Sequence, residues 1–235
     1  MPKISNKLLL GFWFICLYIK RLQSIFIRLK ADKPEYLLGF NTLEDIILNK
    51  SQQQEDKQIR STVSLFYKRL MQFSGPLMAK GVEDTLMYTN FRFIGHNEVG
   101  DHPECFGIST AYFHEWMQKR QVQMPLTLNT TSTHDTKRGE DARARLNVLT
   151  HLPNLWVEKV RQWRKMNRNL VQKFKIETND EYFIYQNLVG NFPISSNISD
   201  NFLPRFEAYL IKALREGKIQ SDWNKPNESY ENSVK

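Results

Sequence analysis

Apolar residues recur every three or four positions along several stretches of the chain, which is the spacing of one face of an α-helix. A short helix is predicted from Tyr36 to Leu48, and a longer helix with five apolar residues between Ile59 and Phe73 is predicted to end at Gly75-Pro76. The same spacing predicts further helices at Thr110 to Gln121, from Glu140 through Leu149, at Trp156 to Phe174 and at Phe202 to Leu214. The sequence therefore predicts a mostly helical structure.

One stretch has the pattern of a strand. Leu126 to Ser132 (LTLNTTS) has β-branched residues and a rough alternation of apolar and polar positions. The polar turn Thr133 to Arg138 follows at once, and then comes the helix with Glu140 and Asp141 in its first turn, where the helix dipole favours acids. A strand, a polar turn and a helix in this order are typical of α/β enzymes, whose reactive groups lie at the carboxyl ends of the strands.

Other stretches lack a clear period. The segment Asn49 to Lys57 is polar and is predicted to be a loop, and Gly95 to Gly107 resembles a loop as well. Asn179 to Pro193 is mixed in character, and the tail from Ser221 is polar without an organised ending. No period of twenty to fifty residues recurs, so the sequence does not favour a solenoid.

The amino terminus begins with an apolar run of twelve residues, Leu8 to Ile19, between basic residues. This pattern resembles a signal peptide, but the run is too short to span a bilayer and no small-residue cleavage site follows it. Apolar residues continue at helical spacing from Leu22 to Leu29. A buried or partly unpartnered helix is therefore preferred over an export signal or a membrane anchor.

The composition is sufficient for a hydrophobic core but does not identify a binding partner. Hydrophobic residues make up 41% of the 235 positions, and the formal net charge is +8. The charges are interspersed, so an ordinary basic surface is preferred over contact with nucleic acid or an anionic membrane. Cys16 and Cys105 form no metal or disulfide framework, and the spacings of His96, His102 and His114 match no ligand pattern. We therefore predict no metal, no cofactor and a reducing, cytoplasmic location.

Two clusters are candidates for chemistry. His134 and Asp135 could hydrogen-bond sugar hydroxyls, while Lys137 and Arg138 could lower the pKa of the Asp135 carboxyl. The alternative is that Asp135 only pairs with Arg138 or caps the following helix. The cluster of Lys80, Glu83 and Asp84, with Glu98 and Asp101 downstream, could form an acid/base pair, although a solvated group of ion pairs is the commoner outcome. Trp116, Trp156 and Trp163 are predicted to be core residues.

Four segments closely resemble a known enzyme family. They are GPLMAKGVEDTLMYTNFRFIGHNEVG at 75 to 100, STHDTKRGEDARARLNVL at 132 to 149, and the later NDEYFIYQNLVGNFP and YLIKALREGKIQSDWNKPNESYE. The family is maltooligosyl trehalose synthase, of the α-amylase clan of glycoside hydrolases. The resemblance runs in order from about Phe66 to the end, whereas residues 1 to 58 have little of it.

The resemblance implies an α/β fold, the carboxyl-terminal part of a (β/α)8 barrel with extra helices. It also implies an activity: rearrangement of the reducing-end α-1,4 bond of a maltooligosaccharide into an α,α-1,1 bond by intramolecular transglycosylation. A carboxylate nucleophile and a carboxylic acid, about 5 Å apart, perform this type of reaction. Water must be excluded so that the freed glucose attacks instead.

Residue roles follow from the same resemblance. Asp135 matches the third carboxylate of the clan, which stabilises the transition state, and His134 matches its neighbour. Lys80, Glu83 and Asp84 match a family signature and are implied to shape the substrate pocket. Lys137 and Arg138 match the family's THDTKR motif and are implied to organise Asp135.

The chain also departs from the family pattern. Nothing in residues 1 to 65 resembles the family's nucleophile and acid motifs, so we expect a fragment that is inactive alone and that pairs with a separately encoded amino-terminal half. The expected parts are residues 1–58, of uncertain origin; residues 59–175, a partial barrel; and residues 176–235, a helical extension. The alternatives are a maltooligosaccharide-binding remnant without catalysis and, less favoured, a basic nucleic-acid-binding protein.

Overall fold

The computed structural model describes residues 19–20, 22–48, 57–101, 104–194 and 198–235. The chain divides into two compact units, residues 1–76 and residues 77–235. The apolar run predicted at Leu8 to Ile19 lies outside the described residues apart from Ile19 itself. Of the helices in the described ranges, none combines the length and the apolar character that crossing a bilayer requires.

The first unit is helical throughout its described part. Residues 22–32 form a helix that buries Phe26, and helix α1 spans Leu37–Ile47 as the apolar spacing predicts. Lys30 and Glu44 form an ion pair that joins these two helices.

Helix α2 is longer than predicted. It spans Lys57–Met78 and continues through Gly75 and Pro76, where the sequence predicts its end. Because Pro76 lies in the last turn, its missing N–H removes a hydrogen bond only near the helix end. A π-helical turn, Ala79–Glu83, follows directly.

Six helices make up most of the described part of the second unit. They are α3 (Thr110–Gln123), α4 (Glu140–His151), α5 (Pro153–Phe174), α6 (Thr178–Asn191), α7 (Phe202–Gly217) and α8 (Glu228–Val234). Local residues explain their ends. The Ser109 hydroxyl caps α3 by accepting from the Tyr112 N–H, Pro153 begins α5, and Lys175 and Lys218 end α5 and α7 in the left-handed conformation.

The core of the second unit lies where α4, α6 and α7 meet the segment from Leu86 to His96. Leu146 of α4 and Ile94 of that segment are completely buried, as the apolar face predicted for α4 requires. Gln186 of α6 is also fully buried; its amide oxygen accepts from the Ile94 N–H and its amide nitrogen donates to the Phe91 carbonyl. The Gln186 side chain thus supplies the hydrogen-bond partners that these main-chain groups would otherwise lack, and it holds the loop against helix α6.

Helix α7 approaches the same segment closely. A Cβ atom added at Gly217 would lie 2.7 Å from the carbonyl oxygen of Tyr88, so only glycine fits there.

The predicted strand at Leu126 to Ser132 is wrong, because the described residues contain no strand and this segment is irregular. Leu126 and Leu128 are 92% and 94% exposed. A strand needs a neighbour to pair with, and the described part of the chain offers none. The fold is therefore mostly helical, while the barrel part of the predicted fold class stays a prediction.

Three further differences concern buried and exposed positions. The mixed stretch from Asn179 to Pro193 is mostly part of the well-buried helix α6, and the polar tail contains α8, which buries Glu231 and Val234. Trp116 is 47% exposed and is not a core residue, whereas Trp156 and Trp163 of α5 pack against Tyr182 and Tyr185 of α6.

Candidate functional site

The turn at Thr133 to Thr136 presents His134 and Asp135 to solvent. The Thr136 hydroxyl donates to the Thr133 carbonyl at 2.7 Å and accepts from the Thr133 N–H at 2.6 Å, which closes the turn. The Asp135 N–H donates to the Thr133 hydroxyl at 3.3 Å. Both His134 and Asp135 are exposed, and the Asp135 carboxylate makes no hydrogen bond or ion pair with any described residue. The carboxylate is therefore open to a ligand.

Glu98 fixes the residues that follow this turn. Its side chain is buried and accepts main-chain hydrogen bonds from Lys137 at 2.7 Å and Arg138 at 3.1 Å. It also accepts from the N–H of Val99 at 2.8 Å. Three N–H donors satisfy the buried carboxylate without a cation, so Glu98 connects the 94–100 loop to the turn.

The side chain of Arg138 points away from Asp135 and into the protein. Arg138 is 7% exposed, and its guanidinium donates to the carbonyls of Ile94 at 3.0 Å and Asn97 at 3.3 Å. It also donates to the Tyr209 hydroxyl at 3.1 Å. Burial raises the pKa of this Tyr209 hydroxyl, which therefore stays neutral beside the arginine.

Lys80, Asp84 and Lys137 form a chain of charges beside the turn. The Lys137 ammonium lies 2.7 Å from one Asp84 oxygen, and the Lys80 ammonium lies 2.6 Å from the other. Burial alone would raise the pKa of the Asp84 carboxyl, but hydrogen bonds from both lysines outweigh it and hold the pKa below its ordinary value. Asp84 is thus a carboxylate that orients two lysines.

Asp135 lies close enough to this group for its charge to act on Lys80. The pKa of Lys80 is raised mainly by its hydrogen bond to Asp84, with Asp135 contributing a smaller Coulombic effect. Lys80 remains largely exposed, with 74% of its side chain accessible. The Lys80 ammonium and the Asp135 carboxylate are therefore both accessible to a ligand.

The structure brings only some of the predicted site residues together. Lys80, Asp84 and Lys137 come together beside Asp135, whereas Arg138 serves as a buried anchor. Glu83 faces the neighbouring loop, where it accepts from the Gly100 N–H at 3.2 Å. The alternative in which Asp135 pairs with Arg138 or caps the helix is not observed. Arg138 bonds elsewhere, and helix α4 has Gly139 as its N-cap residue and no side-chain cap. Lys137 likewise pairs with Asp84 and not with Asp135.

Sequence reasoning missed several residues that build this site. Tyr209 receives Arg138, and Asn97 donates from its side chain to the carbonyls of Met87 and Asn90. Neither residue is distinctive by type or spacing, so no local signal identifies it. Glu98 is visible in the sequence only as one acid of a cluster.

The comparisons with known proteins confirm the resemblance seen in the motifs. A putative maltooligosyl trehalose synthase of Mycobacterium tuberculosis is 36% identical over 166 residues, which are 71% of this chain. The chain spans about a fifth of the length of the curated relatives it matches, 21% of that protein. No family model matches the chain.

Solved structures give the same result. The crystal structure of a hypothetical maltooligosyl trehalose synthase from Sulfolobus tokodaii is 35% identical with a TM-score of 0.66, over 81% of this chain and 26% of that one. The maltooligosyltrehalose synthase from Arthrobacter ramosus is 29% identical with a TM-score of 0.67, over 92% and 25%. The helical arrangement is therefore shared with part of these enzymes.

Proposed function

We propose that this chain forms one part of a maltooligosyl trehalose synthase and supplies the third carboxylate, Asp135, to the sugar-converting site. The reaction converts the reducing-end α-1,4 bond of a maltooligosaccharide into an α,α-1,1 bond by intramolecular transglycosylation. One observation supports this most strongly: Asp135 is open to solvent while the residues after it are fixed by Glu98 and Arg138. A rigid turn holds the carboxylate in place before any substrate binds.

Each polar group has a proposed task. The Asp135 carboxylate accepts hydrogen bonds from sugar hydroxyls next to the reacting carbon and stabilises its developing positive charge. His134 donates to a neighbouring hydroxyl. Lys80, oriented by Asp84, donates to a hydroxyl of the glucose that must turn over within the site, and Lys137, whose side chain is 8% exposed, holds Asp84 in place. Glu83 fixes the Gly100 loop that borders these groups.

The nucleophile and the general acid come from elsewhere in this proposal. Nothing in residues 1 to 65 resembles either family motif, and the chain spans about a fifth of the length of the curated relatives. We infer that the chain is inactive alone and acts with a polypeptide that contains the upstream part of the relatives' sequence. A partial barrel and a cytoplasmic location also remain predictions of this proposal.

An assay of the chain with and without such an upstream polypeptide tests the proposal. Maltopentaose is the substrate, and formation of a non-reducing oligosaccharide is measured. We expect product only from the mixture, and we expect Asp135→Asn to lower its rate about 10²-fold or more, since a preorganised hydrogen-bonding group is lost. Asp141→Asn, which changes an exposed acid six residues away, should leave the rate unchanged.

Two results would contradict the proposal. Product from the isolated chain would show that it contains its own nucleophile and acid. Saturable binding of maltopentaose without turnover in any mixture would instead favour a non-catalytic binding role.

A further inference from the structure

A cleft lies beside Arg138, between the 137–139 segment and helices α6 and α7. Its volume is about 450 Å³. The described residues that line it include three cations, Lys137, Arg138 and Arg205, and no carboxylate. Because Lys137 is already paired with Asp84, two positive charges of the cleft wall, those of Arg138 and Arg205, have no acidic partner among the described residues.

The charge of Arg138 is the strongest argument for a ligand. The residue is 7% exposed, and its guanidinium donates only to neutral groups, two carbonyls and the Tyr209 hydroxyl. Glu98 accepts from the main-chain N–H of Arg138 and makes no ion pair with its guanidinium. Buried charges in proteins are normally paired. An anion in the cleft would supply the missing countercharge.

Two polar atoms in the cleft wall also lack partners. The Nε atom of Arg138 and the Oδ1 atom of Asn187 are buried without a hydrogen bond to any described residue. Asn187 is completely buried. Leaving such a buried atom unpaired is unfavourable. Both atoms lie beneath the surface of the cleft, so a ligand there meets the positive charge of Arg138 through space and forms its hydrogen bonds with the accessible groups of the wall.

The far side of the cleft is aromatic. The rings of Phe202 and Phe206 are stacked with their centroids 5.7 Å apart, and Arg205 lies between them in sequence at the exposed surface. Flat rings beside hydrogen-bonding groups suit the apolar face of a sugar ring. The Arg205 guanidinium makes no hydrogen bond or ion pair with the described residues and is available to a ligand.

We propose that this cleft binds a small organic phosphate, with a phosphorylated sugar as the best fit. The phosphate pairs with the exposed Arg205 guanidinium, within reach of the buried charge of Arg138, and the sugar ring lies against Phe202 and Phe206. The proposal goes beyond the proposed function and does not depend on it. A ligand here would contact the residue that anchors the turn of Asp135, so binding should also stabilise the 137–139 segment.

Calorimetric titration of the full chain at low ionic strength tests the proposal with glucose 6-phosphate, inorganic phosphate and glucose. We expect glucose 6-phosphate to bind, inorganic phosphate to bind more weakly and glucose not to bind. Arg205→Ala should weaken glucose 6-phosphate binding about tenfold, because one charge-assisted hydrogen bond is lost. Arg168→Ala, which removes an exposed arginine of α5 outside the cleft, should leave the affinity unchanged.

The contrary outcomes are equally specific. Absence of saturable glucose 6-phosphate binding, or equal affinity for glucose, would overturn the site. Equal affinity for inorganic phosphate would overturn the assignment to a phosphorylated sugar. Unchanged binding in Arg205→Ala, with circular dichroism showing an intact fold, would place any bound phosphate elsewhere.

Discussion

The Glu98 carboxylate lies 2.7 Å from the main-chain nitrogen of Lys137, a residue 39 positions further along the chain. The neighbouring N–H of Arg138 donates to the other carboxylate oxygen. One buried acid therefore joins the loop after Ile94 to the segment that follows Asp135. The orientation of Asp135 depends on this long-range contact as much as on its own turn.

Replacing Glu98 should loosen the turn. Glu98→Ala leaves the N–H groups of Lys137 and Arg138 without their acceptor, and each lost partner costs about 1–3 kcal/mol. We expect faster amide hydrogen exchange at both residues and a lower free energy of unfolding. Glu98→Gln keeps one acceptor oxygen and should lose less. Glu104→Gln, at an exposed acid, serves as the control, and equal exchange rates in all variants would contradict the assigned role of Glu98.

The Asp84 ion pairs should give the protein a dependence on pH. The folded protein holds the pKa of Asp84 below its ordinary value of 3.8, so the unfolded state binds a proton first as the pH falls. The contribution of Asp84 to stability is therefore complete above about pH 5 and is lost as the pH falls through the folded pKa. Asp84→Asn should lack this part of the acid dependence. The measurement is the urea midpoint of unfolding of both proteins at a series of acid pH values. If the midpoint falls equally with pH in the two proteins, Asp84 does not make this contribution.

Tyr230 joins α8 to the beginning of α6 through its hydroxyl. Its hydroxyl donates to Asp180 at 2.6 Å and accepts from the Glu177 N–H at 3.0 Å. Tyr230→Phe removes both bonds and leaves the partly buried Asp180 without its donor, so we expect a loss of about 1–3 kcal/mol in urea unfolding. Tyr112→Phe, at an exposed tyrosine, should change stability by less than about 0.5 kcal/mol. If Tyr230→Phe also changes the free energy of unfolding by less than about 0.5 kcal/mol, the packing of α8 does not depend on these hydrogen bonds.

The exposed segment around Leu128 should tolerate polar substitution. Leu126→Ser and Leu128→Ser should each change the stability of the isolated chain by about 0.5 kcal/mol or less, because both side chains are almost fully exposed. Leu146→Ala, at a fully buried position of α4, should cost about 2–5 kcal/mol. A large loss from either serine variant would mean that the segment is packed, as in the strand that its sequence pattern predicts.

The sequence predicts those elements whose formation depends on local pattern. The apolar faces of α4 and α7 follow from spacing alone, and Leu146 and Leu210 are indeed buried. Helix α6 was missed because its buried face includes Gln186 and Asn187, which bond to main-chain carbonyls and interrupt the apolar pattern. The strand prediction failed because strand formation depends on a partner and not on the segment itself.

The candidate site is predictable to a similar extent. The motif identifies His134 and Asp135, and the charge cluster identifies Lys80 and Asp84. The pairing of Asp84 with Lys137 joins residues 53 positions apart, and only the folded chain reveals it. The same holds for the burial of Arg138 against Tyr209, 71 positions away.

The central claim is that the turn containing Asp135 contacts maltooligosaccharide, and a nuclear magnetic resonance titration of the full chain with maltopentaose tests it most directly. We predict saturable shifts of the amide signals of His134, Asp135 and Lys137, weakened in Asp135→Asn and retained in Asp141→Asn. Saturable shifts confined to other parts of the chain, or no shift at a concentration of several millimolar, would contradict the claim.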